Sequence, residues 1–261
     1  MQRDYKVPTD FQKFLYVGQV LQAEGIKVAM EAHRRKMPYC MGSLFWQIND
    51  CWPVASWSST DYYHKWKAQQ YFAKKAFRQV LVSPDLENGR VSIYLVNDAP
   101  TFKKVILNLK VMNFNGKVSF EKQLLIELKA NSSGVYFADE LKKIVSDGSY
   151  KNSLFSAKVF EENKVVAENI LYFVPVKELL LPKTLVMKTV HEENGNFILE
   201  LKAAKLVKNL YLSLEEGDGF FSDNYFDMLP GETIIVWFKP NSKMELSDFN
   251  KSLKLMQMSD I

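Results

Sequence analysis

Two periodicities divide the chain, helical spacing up to about Arg78 and a period of two beyond it. From Phe11 through Phe14, Leu15, Gly18, Leu21, Gly25, Val28, Ala29 and Ala32, apolar and small residues recur at helical spacing. They predict a helix of about seven turns with one narrow apolar face, and Gly18 and Gly25 are the points where it would bend. Thr9 to Gln12 has the form of a capping box with Pro8 just ahead of it. The basic run His33-Arg34-Arg35-Lys36 falls at the helix end, before Pro38, where positive charge complements the helix dipole rather than marking a binding patch. Leu44 to Ile48 is too short for a helix and rich in bulky apolar residues, with Gly42 before it and Pro53 after it. It reads as a strand buried on both faces. Ser59 or Thr60 is placed to cap a second helix with Asp61 in its first turn, a buried stripe of Tyr62, Trp66, Ala73 and Phe77, and an end near Arg78.

From Gln79 onward the period falls to two. Val91, Ile93 and Leu95 alternate with other residues, as do Val105, Leu107, Leu109 and Val111. Asn115-Gly116 and Asn163-Lys164 mark hairpin turns, with further strands around 118–127, 153–161 and 165–173. These short strands with regular turns predict an antiparallel β-sandwich over residues 78–176. Pro175 to Pro182 reads as a linker. A second β-domain, 183–261, opens with Glu193-Asn194-Gly195-Asn196 turning a hairpin into Phe197, Leu199 and Leu201. It continues through Leu210, Leu212 and Leu214, then Thr233 to Phe238, with Leu253 and Leu255 supplying the last strand.

The candidate chemistry sits at the C-terminal end of the 44–48 stretch, where Trp46, Gln47, Asn49, Asp50, Trp52 and Trp57 cluster. A strand buried on both faces with a helix on each side is the repeating unit of a parallel α/β sheet or barrel, and such folds gather their chemistry at the C-terminal strand ends. Flat aromatic faces beside amides and a carboxylate suit a sugar, which offers C–H faces for packing and hydroxyls for hydrogen bonds. The bland reading, in which the tryptophans are core and Asn49 and Asp50 cap a turn, stays open at this point.

The run Met41-Gly-Ser-Leu-Phe-Trp-Gln-Ile-Asn-Asp-Cys-Trp-Pro-Val-Ala-Ser-Trp-Ser-Ser, continuing into Asp61-Tyr62-Tyr63 and Trp66-Lys67-Ala68, resembles the last barrel strand and helix of β-mannosidases in glycoside hydrolase family 2. Phe14-Leu15-Tyr16-Val17, Gln22-Ala23-Glu24-Gly25-Ile26-Lys27 and Glu31-Ala32-His33-Arg34 resemble the helix preceding that strand. Ser222-Asp223-Asn224-Tyr225-Phe226-Asp227 with Leu229-Pro230-Gly231-Glu232 is similar to a stretch of the family's C-terminal immunoglobulin-like domains. The resemblance is dense over roughly the first 80 residues and looser beyond. It implies a mixed fold: the last βα portion of a (β/α)8 barrel over residues 1–77, followed by two immunoglobulin-like antiparallel β-sandwiches. It also implies that Met1 is a fragment start.

The activity implied by the resemblance is retaining hydrolysis of terminal β-mannose residues by two glutamates, whose carboxyl groups stand about 5 Å apart in such enzymes. In the family they come from an Asn-Glu pair and a Glu-Phe-Gly-like stretch, and neither sequence occurs here. The expectation is therefore a portion of a β-mannosidase that is inactive alone, with no catalytic residue of its own. Trp46 matches the family tryptophan lining the pocket around the terminal sugar and is the leading substrate-binding candidate, with Gln47, Asn49 and Asp50 behind it. Trp52 and Trp57 are expected to pack. Two alternatives stand beside this reading: a non-catalytic carbohydrate-binding or interaction module, and a related family 2 glycosidase such as a β-glucosaminidase or β-galactosidase.

Composition narrows the partners. A net charge of +4 spread over 261 residues leaves no nucleic-acid footprint, and 47% hydrophobic with 25% charged residues is an ordinary soluble balance. No run of about 20 apolar residues is long enough to span a membrane, and the N-terminus shows no signal pattern. Cys40 and Cys51 bracket the predicted strand, which would hold them about 30 Å apart and leave two free thiols. His33, His64 and His191 lack metal-ligand spacing, so neither metal nor cofactor is expected. Glu24 and Glu31 read as helix-surface groups. Asp223 and Asp227 read as a solvated turn in preference to a cation site. An incomplete barrel would leave the 43–49 strand with open edges, to be covered by the first helix, paired with a second copy in a homo-oligomer, or poorly ordered.

Overall fold

The computed structural model describes residues 1–145 and 147–261. The first helix, α1 (Phe11–Arg35), is capped by Asp10, whose carboxylate accepts the Lys13 N–H at 2.9 Å, one residue on from the expected box. It buries Tyr16, Val17, Val20, Ala23, Met30, Glu31 and Arg34. The stripe expected to be buried faces outward instead: Phe11 is 73% exposed, and Phe14, Leu15 and Val28 are exposed as well. A side chain added at Gly18 or Gly25 would meet nothing within 4 Å. The helix carries two apolar stripes. The one that is buried also bears a phenol, a carboxylate and a guanidinium with partners on the β-domains, and those bonds set the rotation of the helix.

Two further expectations fail in the next stretch. Residues 44–48 form no strand: Leu44 is fully exposed, Trp46 is 77% exposed and Ile48 is exposed too. A strand buried on both faces needs neighbours on both edges to take up its N–H and C=O groups. Among the described residues such pairing is confined to the end of the segment, where a parallel bridge joins Asn49 and Thr60 and the Gln47 and Ile48 carbonyls take the Ser59 and Thr60 N–H groups. The segment is anchored at its start, where His33 Nδ1 lies 2.9 Å from Ser43 Oγ and Phe45 packs against Met30, Ala73 and Ala76. The second helix, α2 (Ala68–Ala76), starts well after Ser59 and Thr60. Asp61 closes a turn instead, its Oδ1 accepting the N–H groups of Tyr63 and Lys65, each at 2.9 Å. Tyr62 and Phe77 are exposed, and of the expected stripe Ala73 is buried.

The rest is antiparallel β-structure. The first group comprises β1 (Val80–Glu87), β2 (Arg90–Asn97), β3 (Lys103–Asn113), β4 (Val118–Leu128), β5 (Ser132–Glu140), the one-turn α3 (Leu141–Ile144), β6 (Ser153–Glu161) and β7 (Lys164–Tyr172). A three-stranded sheet, β1-β2-β5, faces a four-stranded sheet, β4-β3-β6-β7. The alternating residues Val91, Ile93, Leu95, Val105, Leu107, Leu109 and Val111 meet Phe155, Ala157 and Val159 in one core between them. The second group comprises β8 (Met187–Glu193), β9 (Asn196–Lys202), β10 (Val207–Leu214), β11 (Gly219–Phe221), β12 (Phe226–Met228), β13 (Thr233–Pro240), α4 (Leu246–Ser252) and β14 (Leu253–Met256). Here β12-β10-β14 faces β11-β13-β9-β8, and Phe249 of α4 stacks between Phe197 and Phe238 at 4.6 and 5.1 Å.

The sandwiches are joined by side chains. Met112, Phe114 and Leu154 pack with Leu179, Leu206 and Leu229. The 113–117 turn needs Gly116 (φ +91°), where a Cβ would press to 3.0 Å of Pro230. Asp227 is no solvated turn. It lies in β12 and accepts from Tyr172 Oη and the Asn209 N–H, both at 2.7 Å, with Lys208 Nζ at 3.6 Å. Asp223 instead pairs with Lys75 at 2.7 Å.

Helix α1 spans both sandwiches. Near its start, Tyr16 Oη donates to the Asn209 carbonyl at 2.6 Å, and Tyr16, Tyr71, Tyr211 and Tyr225 form one aromatic cluster. Near its end, Arg34 pairs with Asp98 at 2.8 Å and Arg35 with Asp85 at 3.3 Å, so both guanidinium groups bind the fold itself. Glu31, expected on the surface, is buried and accepts from Ser83 Oγ at 2.8 Å and Asn169 Nδ2 at 2.9 Å.

Candidate sugar-binding segment

Residues 46–60 form a loop whose backbone closes on itself. The Ser59 N–H donates to the Gln47 carbonyl at 3.0 Å, the Thr60 N–H to Ile48 at 2.8 Å and the Asp50 N–H to Thr60 at 3.2 Å. The peptide between Trp46 and Gln47 is cis. Gln22 Nε2 of α1 donates to the Trp57 carbonyl at 2.6 Å and also meets Gln69 Oε1 of α2, so both helices hold the loop's far end.

The four sequence-predicted site residues divide into two groups. Trp46, Gln47 and Asn49 form the solvent-facing group, with Trp46 and Asn49 exposed and Gln47 half-buried. The Gln47 side-chain amide donates to the Asn49 carbonyl at 3.0 Å, and that of Asn49 to the Asp50 carbonyl at 3.3 Å. Both amides keep their side-chain oxygens as acceptors. Asp50 points the other way: it is buried, with Lys67 Nζ 3.0 Å from Oδ2 and the Ser56 hydroxyl on Oδ1. The Ser56 hydrogen bond and the neighbouring Lys67 hold its carboxyl below the usual carboxylate range against the opposing effect of desolvation. Asp50 is therefore ionised near neutrality and has no proton to give.

Trp52 and Trp57, expected to pack, are both exposed, as is Trp46. Trp66 is the one that packs, edge-on to Tyr71 at 5.2 Å and to Phe220 at 5.0 Å. Sequence reasoning missed Lys67, Ser56, Ser58 and Gln22, because nothing along the chain marks a lysine as the partner of an aspartate 17 positions earlier. Cys40 and Cys51 are free thiols. Among the described residues no three His, Cys, Asp or Glu side chains are grouped to hold a metal ion, and no helix is long and apolar enough to cross a membrane.

Comparison with known proteins bears on what such a loop serves. Residues 89–178 match a family model described as a mannosidase Ig/CBM-like domain, and residues 180–261 match one described as an Ig-fold domain, Ig_mannosidase. β-Mannosidase of Capra hircus is 27% identical over 264 residues, covering 96% of this chain and 30% of that protein. The chain is a homologue of the β-mannosidases. β-Mannosidase B of Aspergillus niger is 25% identical over 252 residues, covering 88% of this chain and 29% of that protein. In three dimensions the β-D-mannosidase of Dictyoglomus thermophilum matches with a TM-score of 0.87 at 30% identity, over 97% of this chain and 31% of that one. The exo-chitosanase CsxA of Amycolatopsis orientalis matches with a TM-score of 0.70 at 15% identity, over 96% of this chain and 34% of that one, which shows a shared fold alone. The chain thus spans about 30% of the length of the β-mannosidases it matches and fits their C-terminal portion.

Proposed function

We propose that this chain is the C-terminal portion of a retaining β-mannosidase of glycoside hydrolase family 2, which removes terminal β-mannose residues from glycans. In this reading residues 1–77 complete a catalytic (β/α)8 barrel, and residues 78–176 and 183–261 are the two immunoglobulin-like domains that follow it. The observation that carries the reading is the amount of apolar surface left open on the N-terminal part. Phe11, Phe14, Leu15 and Val28 of α1 are exposed together with Leu44, Trp46 and Ile48. Soluble proteins rarely leave so much apolar surface to water unless something docks there. The upstream barrel strands would flank residues 44–48 and add backbone partners to those that the Ser59 and Thr60 N–H groups already give the Gln47 and Ile48 carbonyls.

In the completed site the Trp46 ring packs on the C–H face of the terminal sugar, while Gln47 and Asn49 offer amides to its hydroxyls. The chain carries neither an Asn-Glu pair nor a Glu-Phe-Gly stretch, and Asp50 is a single, ionised, engaged carboxylate. Retaining hydrolysis needs two carboxyl groups about 5 Å apart, so both act from upstream strands and this chain alone does not turn over substrate. No cofactor enters the scheme.

The test is hydrolysis of a chromogenic β-mannoside by the 261-residue chain and by a longer polypeptide carrying the upstream sequence, with a β-glucosaminide and a β-galactoside run beside it. The expected result is β-mannoside cleavage by the longer form alone. Cleavage by the 261-residue chain would overturn the division of labour, and preference for either other glycoside would overturn the assignment of substrate.

A further inference from the structure

We infer that Asp50 and Lys67 form a positioning pair that sets the loop bearing Trp46, Gln47 and Asn49, and that neither of them touches the sugar. The inference rests on the reading of residues 46–57 as the sugar-binding segment and assigns different roles to side chains that adjoin one another in sequence. Much of the loop is open to solvent, but Ser58 and Ser59 are buried, and beside them stands an ion pair whose side chains are 2% exposed for Asp50 and 14% for Lys67. The ammonium is surrounded by Asp50 Oδ2 at 3.0 Å, Ser58 Oγ at 2.8 Å and the Ser56 carbonyl at 3.4 Å, which uses all three of its donors. The second carboxylate oxygen takes the Ser56 hydroxyl, and Ser56 Oγ in turn accepts the Ser58 N–H at 3.0 Å. The Ser58 hydroxyl passes on to the Thr60 carbonyl at 2.8 Å. The connection from Asp50 to Thr60 is therefore wound around one buried contact.

A buried ion pair adds little net stability compared with an apolar pair of the same size, but losing one partner strands a charge. Such a pair is a selector of conformation more than a source of stability. Lys67 is well placed for that role. It is the residue immediately before α2, and α2 is fixed to the second sandwich by Tyr71 Oη donating to the Phe221 carbonyl at 3.1 Å. Through Lys67 the floor of the loop is tied to that rigid body. The Gln47 and Ile48 carbonyls, held by Ser59 and Thr60, carry the constraint to Trp46.

The test has two arms. The 261-residue chain has five tryptophans, so its 1H–15N spectrum is expected to show five indole N–H signals. Asp50→Asn and Lys67→Met are each expected to shift the signals of Trp46, Trp52 and Trp57 while leaving that of Trp237 in place. Ser56→Ala, a gentler change that keeps both charges, should shift the same three less far. In the longer polypeptide that hydrolyses a β-mannoside, Asp50→Asn and Lys67→Met should each lower kcat/KM by about 10²-fold, the scale of a 1 Å misplacement. The double variant should lose no more than either single one, because the two residues act as a unit. Wild-type kinetics in Lys67→Met beside a collapse in Asp50→Asn would place Asp50 on the substrate and overturn the inference. So would an unmoved Trp46 signal in both single variants. If the longer wild-type polypeptide cleaves no β-mannoside, the sugar-site reading fails, while the indole signals still decide whether the pair positions Trp46.

Discussion

Tyr172, in the last strand of the first sandwich, donates its hydroxyl to the carboxylate of Asp227 in the second at 2.7 Å. Lys208 completes the contact, its Nζ lying 3.6 Å from the same carboxylate oxygen and 4.2 Å from the centre of the Tyr172 ring. Its side chain is 2% exposed. Asp227→Asn would leave that ammonium buried without a counter-charge and is expected to destabilise by about 3–5 kcal/mol. Tyr172→Phe removes one donor and should cost about 2 kcal/mol. Urea unfolding of the two variants checks the order, and a larger loss for Tyr172→Phe would show the hydroxyl, not the ion pair, to be the main tie.

Four buried tyrosines and the half-buried Tyr172 set an alkaline limit. Burial raises the phenols of Tyr5, Tyr16, Tyr71, Tyr172 and Tyr225 above their ordinary value near 10, so in the folded protein they keep their protons where the unfolded chain loses them. Their contribution is complete below pH 10 and is lost as pH rises beyond it toward the folded values. Each group removes about 1.4 kcal/mol of stability per pH unit in that range. The melting temperature should thus stay level with respect to these groups up to about pH 10 and drop steeply above it, with phenolate absorbance at 295 nm appearing together with unfolding. Phenolate absorbance growing in while the fold persists would contradict this.

Glu31 carries a prediction opposite to that of an ordinary helix-surface acid. Its carboxylate joins α1 to β1 through Ser83 and to β7 through Asn169. Glu31→Ala leaves both donors without their acceptor, at about 1–3 kcal/mol for each unsatisfied group. Glu24→Ala, on the same helix but half-exposed, should stay within about 0.5 kcal/mol. Chemical denaturation of both variants reads the difference directly.

The open face of α1 predicts a separation between stability and assembly. Phe14→Ser and Leu15→Ser should alter the stability of the 261-residue chain by no more than about 0.5 kcal/mol, whereas Met30→Ala on the buried face should cost about 3 kcal/mol. In the longer polypeptide the serine variants should reduce soluble yield and, on the proposed function, hydrolysis of a β-mannoside. A large loss in the isolated chain would mean that the face is already packed. Sedimentation of the isolated chain adds a further reading, since a dimer dispersed by the serine variants would show a second copy covering the face.

The β-domains were largely legible in sequence because alternation there reports burial directly. Val105 to Val111 point inward at every second position along β3, as do Phe197, Leu199 and Leu201 in β9. Strand β5 escaped because Ser132 to Glu140 holds a single buried residue, Phe137, among small and polar neighbours. The N-terminal part misled for a different reason. Periodicity shows that a helix has an apolar stripe without showing which stripe finds a partner, and on α1 the answer came from Tyr16, Glu31 and Arg34, whose polar ends have acceptors and donors on the sandwiches. Leu44 to Ile48 has the composition of a buried strand, but a strand is a relation between segments, and among the described residues no strand lies beside it. Of the candidate site, Trp46, Gln47 and Asn49 stand out in sequence by their chemistry, but their placement in an irregular loop does not. The inward turn of Asp50 depends on Lys67, which only folding brings beside it.

Because α1 is fastened to one sandwich through Tyr16 and to the other through Arg34 and Arg35, it works as a splint across a joint. A hinge at the 175–182 connection has no free play: swinging either sandwich would have to pull the helix from its seat at one end. The same helix carries Gln22, which grips the loop of tryptophans, and so the stance of that loop is referred to two β-bodies at once. The two sandwiches thereby serve as the surveyor's fixed points against which the 46–60 loop is levelled.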